Sequence, residues 1–162
     1  MTIASPEDFT AQLGQPPRAK QLKKFNEAIF LKRSRLLVDS DLARFFDLQV
    51  RVTRPHTALK GRQLSNNESE TTMFGRPGSV EHAETLQKAV DLGQIAGKIQ
   101  AQWNYEEGEL HTNGSSNIFP VCDKNDALCV AYVYRYVDWW RFHCAPFRAD
   151  KVWFAGERMF SN

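Results

Sequence analysis

Nowhere does the sequence carry the ~20 consecutive apolar residues that a helix needs to cross a bilayer, and its longest apolar stretches are broken by charges. Its start, MTIASPEDFTAQ, has neither a basic region nor an apolar block, so no secretory leader is expected there. Cysteine is scarce and odd in number: Cys122, Cys129 and Cys144. That excludes a disulfide-stapled scaffold and points to thiols used as small core residues in a reducing compartment. Low-complexity tracts and internal repeats are missing too, and with them disorder, collagen and coiled coil. The expectation is a cytoplasmic protein with no membrane partner. What remains is 162 residues, 42% hydrophobic and 12% aromatic, with a surplus of Phe and Trp. A chain of this length buries enough surface to fold without a metal or disulfide staple.

The formal net charge of +2 conceals a strong asymmetry. Residues 17–63 hold twelve Lys and Arg against four acids, a net +8, while the rest holds nine against fifteen, a net −6. A basic lobe attracts polyanions at long range, and Lys and Arg supply the phosphate contacts behind most non-specific nucleic-acid affinity. Lys32, Arg33, Arg35, Arg44, Arg51, Arg54, Lys60 and Arg62 are therefore candidate nucleic-acid contacts. The other reading of the same charge is a solvated face that docks on the protein's own acidic half or on a protein partner.

Hydrophobic spacing divides the chain in three. Pro6 after Ser5 suits a helix start, and apolar spacing predicts helices at about 18–33 and 39–47, giving a basic helical region over 1–63. Residues 64–78 hold two Gly and a Pro among few apolar residues and read as a linker or long loop. From 79 to 162 the expectation is an α+β domain. Ser79 caps a helix of about 20 residues whose Gly93 and Gly97 allow a close approach, and strands follow at 118–121, 128–137, 140–147 and 151–156. The fold class expected is thus an N-terminal helical region followed by a long helix packed on an antiparallel β-meander.

Three constellations suggest chemistry. In LLVDSDLARFFDLQVRVTR, Ala43, Asp47 and Leu48 have the spacing of a small crossing residue, a turn and an apolar residue, which resembles a helix-turn-helix; Asp47 stands where glycine is usual and Pro55 interrupts the second helix. Val137, Asp138, Trp139, Trp140, Pro146, Lys151, Val152 and Trp153, after a helix bearing Glu81 and Glu84, resemble the sheet of the PD-(D/E)xK nuclease fold. That family needs an Asp on the first strand and Glu/Gln-x-Lys on the second to hold Mg²⁺ and activate water. Here Asn117 and Ala131–Tyr134 occupy those places, so the resemblance implies a nuclease-like domain without nuclease activity, cofactor or metal. His82-Ala83-Glu84, with Pro120, Cys122 and Cys129, resembles the ligand set of zinc-dependent nucleotide deaminases, a remote alternative because the second cysteine comes seven residues after the first.

Aromatic residues supply the last signals. Tyr132, Tyr134 and Tyr136 share one strand face. They are expected to pack beneath the long helix; the alternative is a stacking surface for unpaired bases. Trp139, Trp140 and Arg141 are candidate partner-binding residues, since aromatics and Arg dominate binding hot spots. Adjacent tryptophans on a strand cannot both face inward, so one indole is expected outside. Two functions follow as expectations: a non-catalytic DNA-binding regulator or interference factor of a phage or mobile element, or a module that inhibits a partner protein.

Overall fold

The computed structural model describes residues 24–162. The helix expected near Pro6 and residues 18–23 of the 18–33 helix lie outside the described residues. In chain order the elements are β1 (Lys24–Asn26), α1 (Glu27–Phe30), β2 (Leu36–Val38), α2 (Leu42–Phe45), β3 (Val50–Val52), β4 (Lys60–Gln63), β5 (Glu68–Ser69), α3 (Glu70–Phe74), α4 (Val80–Gln87), α5 (Leu92–Ala101), β6 (Asn117–Cys122), β7 (Leu128–Tyr136), β8 (Trp139–Pro146), β9 (Val152–Trp153) and β10 (Arg158–Ser161).

Six strands form one mixed sheet in the order β2-β8-β7-β6-β10-β4. The middle is the expected meander, because the β-branched and aromatic residues of LCVAYVYRY favour a pleated strand. The β6–β7 turn is set by Asp123, whose Oδ1 accepts from the backbone N–H of Asn125 and Ala127. Around that meander the expected fold class is wrong. The sheet is not a simple antiparallel meander, since β2 joins β8 in parallel and β10 joins β6 in parallel. Residues 24–63, the described part of the expected helical region, are not helical either: α1 and α2 are single turns, while β2 and β4 form the two edges of the same sheet.

The expected 80–99 helix is two helices. After Gln87 the chain turns extended so that the Val90 N–H reaches the carbonyl of Pro120 on β6. Asp91 then starts α5 with a capping box, its carboxylate on the Gln94 N–H and the Gln94 side chain back on the Asp91 N–H. An apolar stripe runs through the break, which is why periodicity alone reads one helix. Residues 64–78 are structured as well. Leu64 and Phe74 are buried in a second core with Ile118, Leu128, Val130 and Trp153. Glu70 is buried beside them, accepting from the Arg148 N–H and the Trp153 indole.

The two cores lie on opposite sheet faces. α5 covers one, over Phe119, Val121, Ala131, Val133, Trp140 and Phe142. The second core covers only the β6 side of the other face. Gly93 and Gly97 do mark a close approach: a Cβ at Gly97 would stand 2.5 Å from the His56 ring, and one at Gly93 would collide with Thr53.

Candidate functional site

Strand register decides what the uncovered part of the second face presents. Tyr132 pairs with His143, Tyr134 with Arg141 and Tyr136 with Trp139, while Leu37 of the β2 edge pairs with Arg141. Paired residues share a face, so these side chains form one continuous surface. The tyrosine row therefore does not pack under the long stripe of apolar helix residues. α5 lies on the opposite face, and only Tyr132 reaches the margin of the second core.

The rings are organised. His143 stacks on Tyr132 at 5.0 Å between centroids and on Tyr134 at 5.6 Å, with all three planes nearly parallel. Tyr132 meets Trp153 edge-on at 5.2 Å. The imidazole is held at both nitrogens, with Nδ1 3.5 Å from an Asp39 carboxylate oxygen and Nε2 3.4 Å from the Tyr134 hydroxyl. Burial, then Tyr134 and Asp39, push the Tyr132 phenol up, so it stays neutral. In this inner group the rings cover one another's faces and turn their edges outward.

Toward the β7–β8 turn the rings become free. Tyr136 is 56% exposed and Trp139 40%, with Leu37 and Val137 exposed beside them. The Arg141 guanidinium lies 4.9 Å over the Tyr136 ring, and its Nε is buried without a hydrogen-bond partner. Val137 at the turn has φ +53°, a left-handed conformation that a β-branched residue adopts only under strain. The neighbouring indole is turned away: Trp140 is fully buried in the α5 core.

The eight candidate cations do not converge. Lys32, Arg33 and Arg35 lie on the turns leading into β2, at the same end as the exposed rings. There the Arg35 carbonyl accepts from the Trp140 N–H, and Arg33 covers Trp103 at 5.0 Å. Arg135, which charge counting over 17–63 missed, joins them by covering Tyr105 at 4.1 Å. Arg44 instead pairs with Asp41, and the Arg54 N–H is held by Asp91. Arg51 lies on β3, antiparallel to β1. Lys60 and Arg62 sit on β4, the far edge of the sheet, where Arg62 forks onto Glu68 at 2.8 and 2.9 Å.

The other constellations are absorbed by the fold. Asn117, fully buried, accepts from the His111 N–H and donates to the carbonyls of His111 and Val133. Ala131 and Val133 are core. Among the described residues no group of three His, Cys, Asp or Glu is placed to hold a metal. Cys129 pairs with Val121, so Cys122, one residue further, points to the opposite face, and the two thiols do not converge. His82 packs edge-on against Phe147, with its Nδ1 near the Gly75 carbonyl. Past Asp47 the chain is extended into β3, where a second helix of a helix-turn-helix would lie.

No carboxylate at ligand spacing marks His143 in the sequence. The Tyr132–His143 pairing was latent in a two-residue turn at Val137–Asp138, but Asp39 reaches the imidazole through a parallel β2–β8 pairing that no local pattern announces. No described helix is long and apolar enough to cross a membrane. Compared with known protein families, curated proteins and solved structures, the chain matches none of them.

Proposed function

We propose that the protein binds nucleic acid without cutting or modifying it, through the open face of β7 and β8. The observation that carries this reading is the coincidence, at one end of the sheet, of uncovered Tyr136 and Trp139 with Arg141 and with Lys32 and Arg35 of the adjoining turn, Arg33 being turned to the α5 side over Trp103. Aromatic faces stack on bases and cations neutralise phosphates, the two halves of nucleic-acid affinity. The residues that a nuclease would devote to metal are spent on the core and on backbone hydrogen bonds, which favours binding over cleavage.

Retention on immobilised calf-thymus DNA, native and heat-denatured, at increasing NaCl tests it. Retention at 50 mM and release well before 500 mM is expected, because each neutralised phosphate releases counterions. Changing Lys32 and Arg35 together to Gln should lower the salt slope by about 1.5. No retention at 50 mM NaCl, or retention indifferent to salt, overturns the reading. A second reading, a protein-docking patch, is favoured by the apolar character of Leu37, Val137, Tyr136 and Trp139, all exposed. It gains if DNA is not retained while the protein still captures a partner from nuclease-treated lysate through Trp139.

A further inference from the structure

Resting on the nucleic-acid reading above, we infer that the ligand is single-stranded DNA, with two successive bases stacked on Tyr136 and Trp139. A duplex is read by a helix or β-ribbon laid into a groove, with cations along the inserted element. No helix described here has that form, and the two-stranded ribbons, β1–β3 with Lys24 and Arg51 and β5–β9, are only three and two residue pairs long. α5 is buried, α4 presents Glu81 and Glu84 without a Lys or Arg, and α1 and α2 are single turns. What the surface offers instead is ring area, and ring faces are of use only to bases that are not already stacked in a helix.

The free platform is small and defined. The inner rings of Tyr132, Tyr134 and His143 shield one another, so stacking area begins at Tyr136, one face of which Arg141 covers. Tyr136 and Trp139 are directly opposed across the hairpin, which sets their Cβ atoms roughly 5 Å apart and gives one ring to each of two neighbouring bases. Arg141 lies between this pair and the inner rings, and its unpaired buried Nε is a donor without a partner in the free protein. The guanidinium charge held over Tyr136 is the group that a phosphate meets there.

The flanking side chains favour DNA over RNA. Leu37 and Val137, exposed on either side of the rings, are apolar; they suit a thymine methyl and offer no partner to a 2′-hydroxyl. Among the polar groups near the platform, Asp39, His143 and the Tyr134 hydroxyl are directed at one another, while Asp138 of the turn is exposed.

Fluorescence anisotropy with labelled dT12, rU12 and a 12-base-pair duplex at one salt concentration, on the full chain, decides the matter. dT12 should bind at least tenfold more tightly than the duplex and more tightly than rU12, and should quench tryptophan emission. Tyr136→Ala and Trp139→Ala should each weaken dT12 binding about 5- to 150-fold, the range measured for one base–aromatic stack. Trp139→Phe should restore most of the affinity while removing the quench. Both positions are exposed, so melting temperature should fall only slightly, by the loss of the cross-strand ring pair and, for Tyr136→Ala, of the Arg141 contact. Duplex or rU12 binding as tight as dT12 overturns this inference and leaves the broader reading standing, whereas dT12 binding indifferent to both alanine variants overturns this inference and removes the open β7–β8 face as the binding site. Failure of all three probes overturns both.

Discussion

At the scale of single residues, the fold places polar groups where their chemistry is used up by structure. Asn117 is the plainest case. Its amide suits the place, because it accepts from one N–H and donates to two carbonyls, which a carboxylate cannot do. Glu70 is the opposite case, a carboxylate inside a core. Two donors reach it, yet burial outweighs them and raises its pKa above the usual glutamate value. The folded protein therefore holds that proton more tightly than the unfolded chain. The resulting stabilisation is complete below the usual glutamate value and is lost as pH rises through the folded-state value. Glu70→Gln removes this dependence. The stability advantage of wild type over Glu70→Gln, measured by urea unfolding, should grow as pH falls from 8 toward 4.5. A constant difference across that range would show that the buried carboxyl is not the titrating group.

At the scale of elements, what could be read from sequence was whatever depends on neighbours. The β6, β7 and β8 strands and the Asp123 turn follow from alternation and turn chemistry within 30 residues. The break between α4 and α5 does not, because it is set by the hydrogen bond from Val90 to Pro120 on a distant strand. The capping pair Asp91 and Gln94 lies within an unbroken apolar stripe, which periodicity reads as one helix. The glycine pair of α5 was legible as a close approach, though not what approaches: Thr53 and His56, from the segment after β3. Gly93→Ala tests that contact. Alanine gains up to ~1 kcal/mol of helix propensity, but its methyl would occupy the place of Thr53, whose hydroxyl is bonded to the Asp91 cap. A net loss of about 1–3 kcal/mol is expected in chemical denaturation, as for an overpacked core site. Unchanged or higher stability would show that Thr53 can move aside freely.

For the whole molecule, the feature least legible in sequence was the sheet order. Charge and linker-like composition divide the chain near residue 64, whereas β2 and β4, from the first part, close the two edges of a sheet whose centre comes from the second. No periodicity reports which strand lies beside which, and a parallel β2–β8 pairing has no turn to announce it. The candidate face inherits this difficulty. Its tyrosines could be aligned from the hairpin alone, but that they lie uncovered depends on where α5 settles. The same sheet order also governs how the protein reaches its native state. Leu36 pairs with Trp140 and Gly61 with Phe160, each about a hundred residues apart in sequence, while β6, β7 and β8 pair across short turns. Closing long loops costs entropy before any contact rewards it, so the hairpins should be built in the folding transition state and the edges added after it. Val133→Ala on β7 should then slow refolding, while Leu36→Ala on β2 should leave refolding nearly unchanged and accelerate unfolding; each truncation costs overall stability. Stopped-flow chevrons distinguish the two, and a Leu36→Ala variant that refolds as slowly as Val133→Ala would place the edge strand in the nucleus. The edges of the sheet, last to form, thus set how long the molecule stays folded more than how fast it folds.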